Sequence, residues 1–349
     1  MKKSLFLLLV LPLLVLAQPQ SGYYSSAVDK YDAALKTALF QKVGPHTERT
    51  YSQLWTDFES TDKRADGKVW DMYSTCSFTF GDDQDKGSGG SSECDYYNRE
   101  HSFPNSWFAK AYPMYSDLFH LYPTDKYVNN KRGNYPYGET SSPSQTFSNG
   151  SRLGSCTFPG YSGTVFEPTD EYKGDFARTY FYMVTAYEDK ISTWSSEHLD
   201  GNSYPGLNSW SVNLLLKWHR QDPVSTKETK RNDAVEDIQH NRNPYIDFPS
   251  LAEHIWGTEK GIPWTLSSGL ETLKVEFSIY PNPVKNTINI KTNQANFQYS
   301  VLTLDGVELL HEQINTQKTI SIDQFPNGMY LLQLSYDKGK SIHKFVVNK

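Results

Sequence analysis

An acid and an imidazole stand side by side at Glu100-His101, in a stretch rich in Gly, Pro, Asn and Tyr. Glutamate offers a hard oxygen ligand for Mg²⁺, and histidine, with an ordinary pKa of about 6.5, is suited to deprotonate water near neutrality. Adjacent residues of a straight strand point to opposite faces, so both serve one site only if the backbone bends, and Pro104 favours such a bend. The competing interpretation is a surface acid beside a packed histidine.

A second set of polar residues follows downstream. Residues 124–131 have the composition of a short helix and present Asn129, whose amide oxygen can complete the protein's share of a metal shell. Waters and phosphate oxygens usually fill the other positions around Mg²⁺. A strand, a loop and a short helix around one ion make a ββα-metal finger. We therefore predict one Mg²⁺ (or Ca²⁺ or Mn²⁺) held by Glu100 and Asn129, with His101 as the catalytic base.

Cations that would bind a phosphate are harder to place. The candidates are Arg178, Arg132 and Arg99. Arg178 either points into the cleft or pairs with a nearby carboxylate, and Arg99 alternatively holds the loop that carries the acid and the base. Arg231 and Arg242 lie in a polar helical pattern, for which a solvated face is the expectation.

The elements that must position these residues are mostly helices. Apolar residues recur every three to four positions in several segments, which is the pattern of an amphipathic helix. The last of these segments opens with Ser225 and Glu228 in the spacing of a capping box. The stretch from 65 to 142 lacks this periodicity and predicts short strands, turns and one short helix. The predicted helices are 27–43, 51–61, 170–187, 207–219 and 226–241.

Residues 1–17 predict a signal peptide. Lys2 and Lys3 precede an apolar run over 5–17, which is too short to span a bilayer as a helix of about 20 residues does. We expect cleavage after Ala17 and a secreted or cell-surface protein without a membrane span. The alternative, a membrane anchor, is disfavoured because no other stretch approaches spanning length.

The cysteines and the net charge limit which compartment, metal site and mode of nucleic-acid binding the protein can have. Cys76, Cys94 and Cys156 predict one disulfide and one free thiol in an oxidising compartment. All three pairings stay open, although Cys76 with Cys94 would close a local loop. No CxxC spacing is present, which disfavours a cysteine metal site. The formal net charge of −6 argues against nonspecific attraction of the whole molecule to nucleic acid, so such an enzyme would need a locally cationic cleft.

The sequence changes character after residue 257. Residues 258–276 have the composition of a linker, and 277–349 alternate short apolar runs with turn signals, as in a small all-β sandwich. The predicted fold class is α+β. A mainly helical domain over 18–257, with the ββα motif embedded in it, precedes this sandwich.

Four motifs follow one another along the chain. They are Arg99-Glu100-His101 with Pro104 and Ser106-Trp107, the segment 117–134, Phe166-Glu167-Pro168 with 173–178, and 241–247. Together they resemble the bacterial endonuclease I family of His-Me finger nucleases, over roughly residues 27–257. The resemblance implies that His101 is the general base, that Glu100 and Asn129 bind the metal, and that DNA or RNA is cut without sequence preference. It implies no role for His120.

The tail contains Tyr280-Pro281-Asn282-Pro283, Asp305-Gly306 and the segments 327–330 and 344–347. With these motifs it resembles the type A C-terminal sorting domain of the type IX secretion system of Bacteroidetes. This resemblance implies an export address that the secretion machinery recognises and removes, with no part in catalysis.

The function predicted from the sequence is a secreted, metal-dependent endonuclease for DNA, RNA or both, acting as a monomer. One alternative is a phosphodiesterase for nucleotides or lipids. The other is a noncatalytic surface-binding protein on the same scaffold. Intact Glu100, His101 and Asn129 favour an enzyme, and plasmid nicking with and without EDTA separates a nuclease from the other phosphodiesterases.

Overall fold

The computed structural model describes residues 19–266, 277–292, 296–304, 306–315, 318–336 and 339–349. The predicted signal peptide and positions 267–276 of the predicted linker lie outside these ranges. The chain divides into two compact units, Met1–Leu266 and Ser267–Lys349. In the described ranges, no helix combines the length and the apolar character that a membrane crossing requires.

Helices dominate the first unit. Each of the five periodic segments forms a helix, and the ends shift by a few residues because short 3₁₀ turns, such as Ser25–Ala27, take up the flanks. The predicted capping box is present, since the Ser225 side chain accepts from the Glu228 backbone and Glu228 reaches back. The helices are α1 Asp32–Val43, α2 Leu54–Thr61, α3 Lys126–Arg132, α4 Lys173–Ala186, α5 Ser209–Gln221, α6 Thr226–Gln239, α7 Pro244–Asp247 and α8 Leu251–Ile255.

Helix α4 is the centre of this unit, and every one of its residues is buried. It touches the catalytic region through two tyrosine contacts. The Tyr180 hydroxyl donates to the Ser102 carbonyl at 3.0 Å, and the Tyr122 hydroxyl lies 2.7 Å from Thr179 Oγ1. These bonds fix the strands that carry the candidate site against a helix with no solvent-exposed side.

The irregular stretch contains the predicted ββα motif. Strands β1 (Tyr97–His101) and β2 (Leu121–Asp125) pair antiparallel, with Glu100 opposite Tyr122 and His101 opposite Leu121. Helix α3 follows β2 without a loop. The Asp125 carboxylate accepts from the Val128 backbone at 3.0 Å and caps the helix. A small antiparallel sheet follows, in the order β3 (Pro143–Thr146), β4 (Arg152–Ser155) and β5 (Thr164–Glu167).

A disulfide joins Cys76 to Cys94, and Cys156 is free and buried. Among the open pairings, the structure therefore has the one that closes the local loop. The Cys94 backbone donates to Asp125 Oδ2 at 2.7 Å. The disulfide loop is thus tied directly to the carboxylate that caps α3.

The second unit is all-β, as predicted. One sheet has the order β10-β7-β6 and the other the order β12-β11-β8-β9. Apolar residues of both sheets form one core, which includes Ile288, Val301, Leu332 and Phe345. The strands are β6 Phe277–Tyr280, β7 Thr287–Thr292, β8 Asn296–Leu302, β9 Glu308–Asn315, β10 Lys318–Ser321, β11 Gly328–Tyr336 and β12 Gly339–Val347.

Residues 258–266, predicted as the start of the linker, belong to the first unit instead. The physical reason is Trp264, whose ring is buried and lies 5.3 Å from the ring of Phe248. The Trp264 backbone also donates to the Lys30 carbonyl at 2.8 Å. An aromatic residue inside a polar segment was the available signal for this packing.

Candidate active site

His101 ends β1, and protein groups engage both of its ring nitrogens. Nε2 lies 3.1 Å from the carbonyl oxygen of Tyr115, and Nδ1 lies 3.1 Å from Nδ2 of Asn105. A carbonyl can only accept a hydrogen bond, so Nε2 carries the proton and Nδ1 offers its lone pair to the Asn105 amide. This geometry assigns Nδ1 as the basic nitrogen.

Aromatic rings enclose the imidazole. Tyr115 stacks on it at 5.0 Å between centroids and Tyr51 at 5.8 Å, leaving 6% of His101 exposed. Burial, followed by the nearby His120, lowers the pKa of His101 to about 3. The imidazole is therefore neutral at physiological pH, which is the form that a general base requires.

Glu100 lies one residue earlier and is also buried. Its Oε1 accepts from the Tyr73 hydroxyl at 2.7 Å and from Arg132. The Tyr137 hydroxyl lies 2.6 Å from that of Tyr73. Burial raises the pKa of Glu100, and the charge of Arg132 opposes this rise. Within the described residues, Oε2 has no hydrogen-bond donor, so one carboxylate oxygen stays available to a ligand.

Arg132 was predicted as a phosphate-binding residue, but the structure places it inside the fold. Its side chain is fully buried. Nη1 donates to Glu100 and, at 3.0 Å, to the carbonyl of His101, while Nη2 donates to the carbonyl of Ser102 at 2.8 Å. A buried guanidinium is retained only when paired and hydrogen-bonded. This arrangement fixes the backbone that carries the acid and the base.

Asn129 lies on α3 and is partly exposed. Its Nδ2 donates to Oδ1 of Asn98 at 2.8 Å, which leaves Oδ1 of Asn129 without a donor in the described part of the chain. Asn98 and Glu100 are two residues apart on β1 and share one face. One carboxylate oxygen and one amide oxygen are hard ligands of the kind that Mg²⁺ takes together with several waters. The donor set fits the predicted ion.

No described trio of His, Cys, Asp or Glu side chains forms a group able to hold a metal ion. A closed structural site of the zinc type needs such a group. A Mg²⁺ site that relies on one carboxylate, one amide and waters does not. Glu100 and Asn129 are therefore the candidate ligands for a metal ion at this site.

The expected bend lies later than predicted. Strand β1 stays paired with β2 through His101, so the Glu100 and His101 side chains keep to opposite faces. Their separate partners agree with this, because Glu100 contacts Tyr73 and His101 contacts Asn105. The turn after the strand, Asn105–Phe108, folds back onto the imidazole. A phosphate that contacts both side chains must bind across the end of β1.

Arg178 is fully buried, and a phosphate contact would require its surroundings to open. Nε and Nη2 donate to the Glu228 carboxylate, and Nη1 donates to the Asp222 carbonyl at 2.8 Å. The prediction that Arg231 and Arg242 lie on a solvated face was wrong. Both are buried because carboxylates from other turns pair with them, Asp62 for Arg231 and Asp233, Glu236 and Asp247 for Arg242.

Arg99 and His120 lie close to His101. The Arg99 guanidinium lies over the ring of Tyr51, with 3.6 Å between Cζ and the centroid, and Nη1 donates to the Tyr51 carbonyl at 2.6 Å. His120 is buried 5.5 Å from the His101 ring, and its Nε2 lies 2.6 Å from the Met114 carbonyl. His120 therefore packs behind the base.

Sequence reasoning missed the residues that hold Glu100 and His101. Tyr73, Asn105 and Tyr115 all contact Glu100 or His101. Asn105 follows His101 closely, so proximity was a usable signal. Tyr73 lies far away in the chain, and only the tertiary fold brings its hydroxyl to Glu100.

Comparison with known proteins identifies relatives of the first unit. The Endonuclease I family model matches residues 32–250. An extracellular ribonuclease of Bacillus amyloliquefaciens is 38% identical over 242 residues, which is 67% of this chain and 78% of the relative. Another, from Bacillus subtilis (strain 168), is 34% identical over 244 residues, with the same shares.

A more distant relative is an extracellular deoxyribonuclease of Aeromonas hydrophila, 26% identical over 136 residues, or 38% of this chain and 50% of the relative. Residues 278–348 match a model described as a secretion system C-terminal sorting domain, the region in which the tail resembles type IX sorting domains. The chain therefore belongs to the endonuclease I family, as a secreted or cell-surface endonuclease that carries a C-terminal sorting domain.

Proposed function

We propose that the site hydrolyses phosphodiester bonds of both RNA and DNA, with Nδ1 of His101 as the general base. The observation that carries this proposal is the bond between Nε2 and the Tyr115 carbonyl, because it places the ring proton on Nε2 and leaves Nδ1 unprotonated, with a lone pair that can take a proton once the Asn105 amide moves away. Relatives named as ribonucleases and as a deoxyribonuclease support a broad nucleic-acid substrate.

In the reaction, His101 removes a proton from a water molecule, the oxygen of that water attacks the phosphorus, and the bond from phosphorus to the leaving sugar oxygen breaks. The imidazolium that forms keeps its Nε2–H bond to the Tyr115 carbonyl, which stabilises the new positive charge. The water must first replace the amide of Asn105 at Nδ1. A positioned base contributes about 10² to 10⁴ in rate.

Glu100 Oε2 and Asn129 Oδ1 would hold a divalent ion. When bound, such an ion offsets charge on the phosphate in the transition state and stabilises the leaving oxygen. Arg132 keeps the Glu100 carboxylate in place for this purpose. Contacts to phosphate carry no sequence information, so we expect cleavage without sequence preference.

The test is cleavage of supercoiled plasmid and of RNA by the purified protein, with Mg²⁺, Mn²⁺ or Ca²⁺ and with EDTA. We expect cleavage of both polymers, its loss in EDTA, and a loss of about 10² to 10⁴ in His101→Ala with an unchanged circular dichroism spectrum. A matched control is His311→Ala, at an exposed histidine of the second unit. Full metal-dependent activity in His101→Ala would overturn the assignment of the base, and intact plasmid with cleaved small diesters would favour another phosphodiesterase.

We further propose that the protein acts as a monomer, since one ββα motif supplies the base and both candidate ligands from a single chain. Light scattering of the active protein tests this point. A dimer that loses activity on dilution would contradict it.

A further inference from the structure

Arg99 stands out among the arginines because it has no carboxylate partner. In the part of the chain that the structure describes, which includes all of them, every other arginine forms an ion pair. Asp85, a carboxylate whose charge acts on Arg99, is already paired with Lys126 at 2.7 Å. The paired arginines are Arg49, Arg64, Arg132, Arg152, Arg178, Arg220, Arg231 and Arg242.

Its surroundings also hold the guanidinium in one place. Cζ lies 3.6 Å from the ring centroid of Tyr51 and 4.2 Å from that of Trp55. Nη1 donates to the Tyr51 carbonyl, and the guanidinium also interacts with the Tyr51 side chain. No carboxylate among the described residues pairs with it. The Arg99 side chain is only partly exposed, so water solvates the cation incompletely. A half-buried, oriented cation without a counter-ion is a site for an anion.

The position of Arg99 relative to His101 indicates which anion. The two residues are i and i+2 on β1 and therefore share a face, with a repeat of about 6.7 Å along the strand. Both side chains contact the same ring, Tyr51. This spacing is close to that of neighbouring phosphates along an extended polynucleotide strand.

We propose that Arg99, held by Tyr51 and Trp55, binds the backbone phosphate next to the one that is cleaved. The proposal rests on the proposed nuclease function of His101 and extends it, because it names a second contact with the polymer. Arg99 donates from Nε and Nη2 to nonbridging oxygens of that phosphate, in the paired geometry that guanidinium groups favour. The substrate then has to span at least two phosphates.

A structural role is the competing explanation, because Arg99 also packs against the ring that stacks on His101. The two roles differ in their salt dependence. Each phosphate contact adds about 0.7 to the slope of log affinity against log salt for a single strand. A residue that only supports the imidazole changes the rate at saturating substrate and leaves that slope unaltered.

The experiment measures binding of a fluorescent single-stranded DNA oligonucleotide in a series of salt concentrations, with His101→Ala as the background so that no cleavage occurs. Arg99→Gln is compared with Arg220→Gln, which removes the same charge at a partly exposed arginine paired with Glu253. We expect Arg99→Gln to weaken binding roughly tenfold at low salt and to lower the slope by about 0.7. Arg99→Lys keeps the charge and should recover most of the slope.

Activity provides the second measurement. With His101 intact, Arg99→Gln should lower kcat/KM for the oligonucleotide roughly tenfold more than for bis(p-nitrophenyl) phosphate, which has a single phosphate. Equal losses on both substrates, or a salt slope equal to that of Arg220→Gln, would overturn the phosphate subsite. If instead the wild-type protein cleaves no nucleic acid with any ion, the proposed function itself fails, whatever Arg99 binds.

Discussion

Arg132 and Glu100 form a buried ion pair between α3 and β1, and the same guanidinium nitrogen donates to the His101 carbonyl. A lysine at this position keeps the charge but lacks the planar, forked guanidinium, so it cannot reproduce the bonds to the His101 and Ser102 carbonyls together with the ion pair to Glu100. We expect Arg132→Lys to raise the Mn²⁺ concentration needed for half-maximal cleavage at least tenfold and to destabilise the fold by about 3 kcal/mol.

Arg178→Lys is the matched control for this change, since Arg178 is equally buried and paired with Glu228. It should lose comparable stability in urea denaturation while its Mn²⁺ dependence stays that of the wild type. Equal shifts of the Mn²⁺ dependence in both variants would show that Arg132 supports the fold in general and not the Glu100 carboxylate in particular.

Asn105 contacts the basic nitrogen of His101 and holds the ring in the orientation described above. Asn105→Ala should therefore lower kcat roughly tenfold with little change in KM, because the imidazole loses the hydrogen bond that orients Nδ1 before water replaces the amide. Asn105→Ser, which retains a donor, should recover part of the rate. The exposed neighbour provides the control, as Ser106→Ala should keep the wild-type kcat.

The disulfide is expected to support Asn129 from a distance. Cys76–Cys94 fixes the loop whose backbone donates to Asp125, the cap of α3. We expect Cys94→Ser to lower the free energy of unfolding by about 3 kcal/mol and to raise the Mn²⁺ requirement. Cys156→Ser tests whether loss of a cysteine outside the disulfide has the same effect. A Cys94→Ser protein with wild-type Mn²⁺ dependence would disconnect the loop from the site.

His198 should make the protein sensitive to acid. It is fully buried, Nδ1 lies 2.7 Å from Ser211 Oγ, and burial lowers its pKa to about 3. In the unfolded chain this histidine takes up a proton near pH 6.5, whereas in the folded protein it stays neutral. Its contribution to the free energy of unfolding is therefore complete above pH 6.5. It is then lost as the pH falls, at about 1.4 kcal/mol per unit for this one group.

His198→Gln removes this titration, so the free energy of unfolding should fall less steeply below pH 6.5 than in the wild type. Urea denaturation at a series of pH values measures the two slopes. Parallel curves would mean that the His198 imidazole does not contribute to the acid sensitivity.

Local patterns predicted the framework of this protein well. Helical periodicity located α1, α2, α4, α5 and α6, and the irregular stretch yielded the ββα motif, because both signals depend on nearby residues. The roles of Arg132 and Arg178 could not be read in the same way. A free and a buried guanidinium look alike in a sequence, and only the tertiary fold supplies Glu100 to one and Glu228 to the other.

The catalytic triplet shows the same limit at closer range. Composition predicted an acid and a base at Glu100 and His101, but not which ring nitrogen is free. That assignment depends on a carbonyl of Tyr115, and every residue type presents a carbonyl. A main-chain acceptor cannot be recognised from the residue type, so the protonated nitrogen of His101 could be assigned only from the structure.

The pairing of nearly all arginines also bears on how the enzyme moves along its substrate. The net charge of −6 disfavours retention of a long polyanion, and the other guanidinium groups are already matched to carboxylates. We expect a polymer to be bound at strand β1 and released once it is cut. We expect distributive rather than processive digestion, visible as intermediate fragment lengths across the whole population early in the reaction; a few chains digested to the end beside intact ones would contradict it.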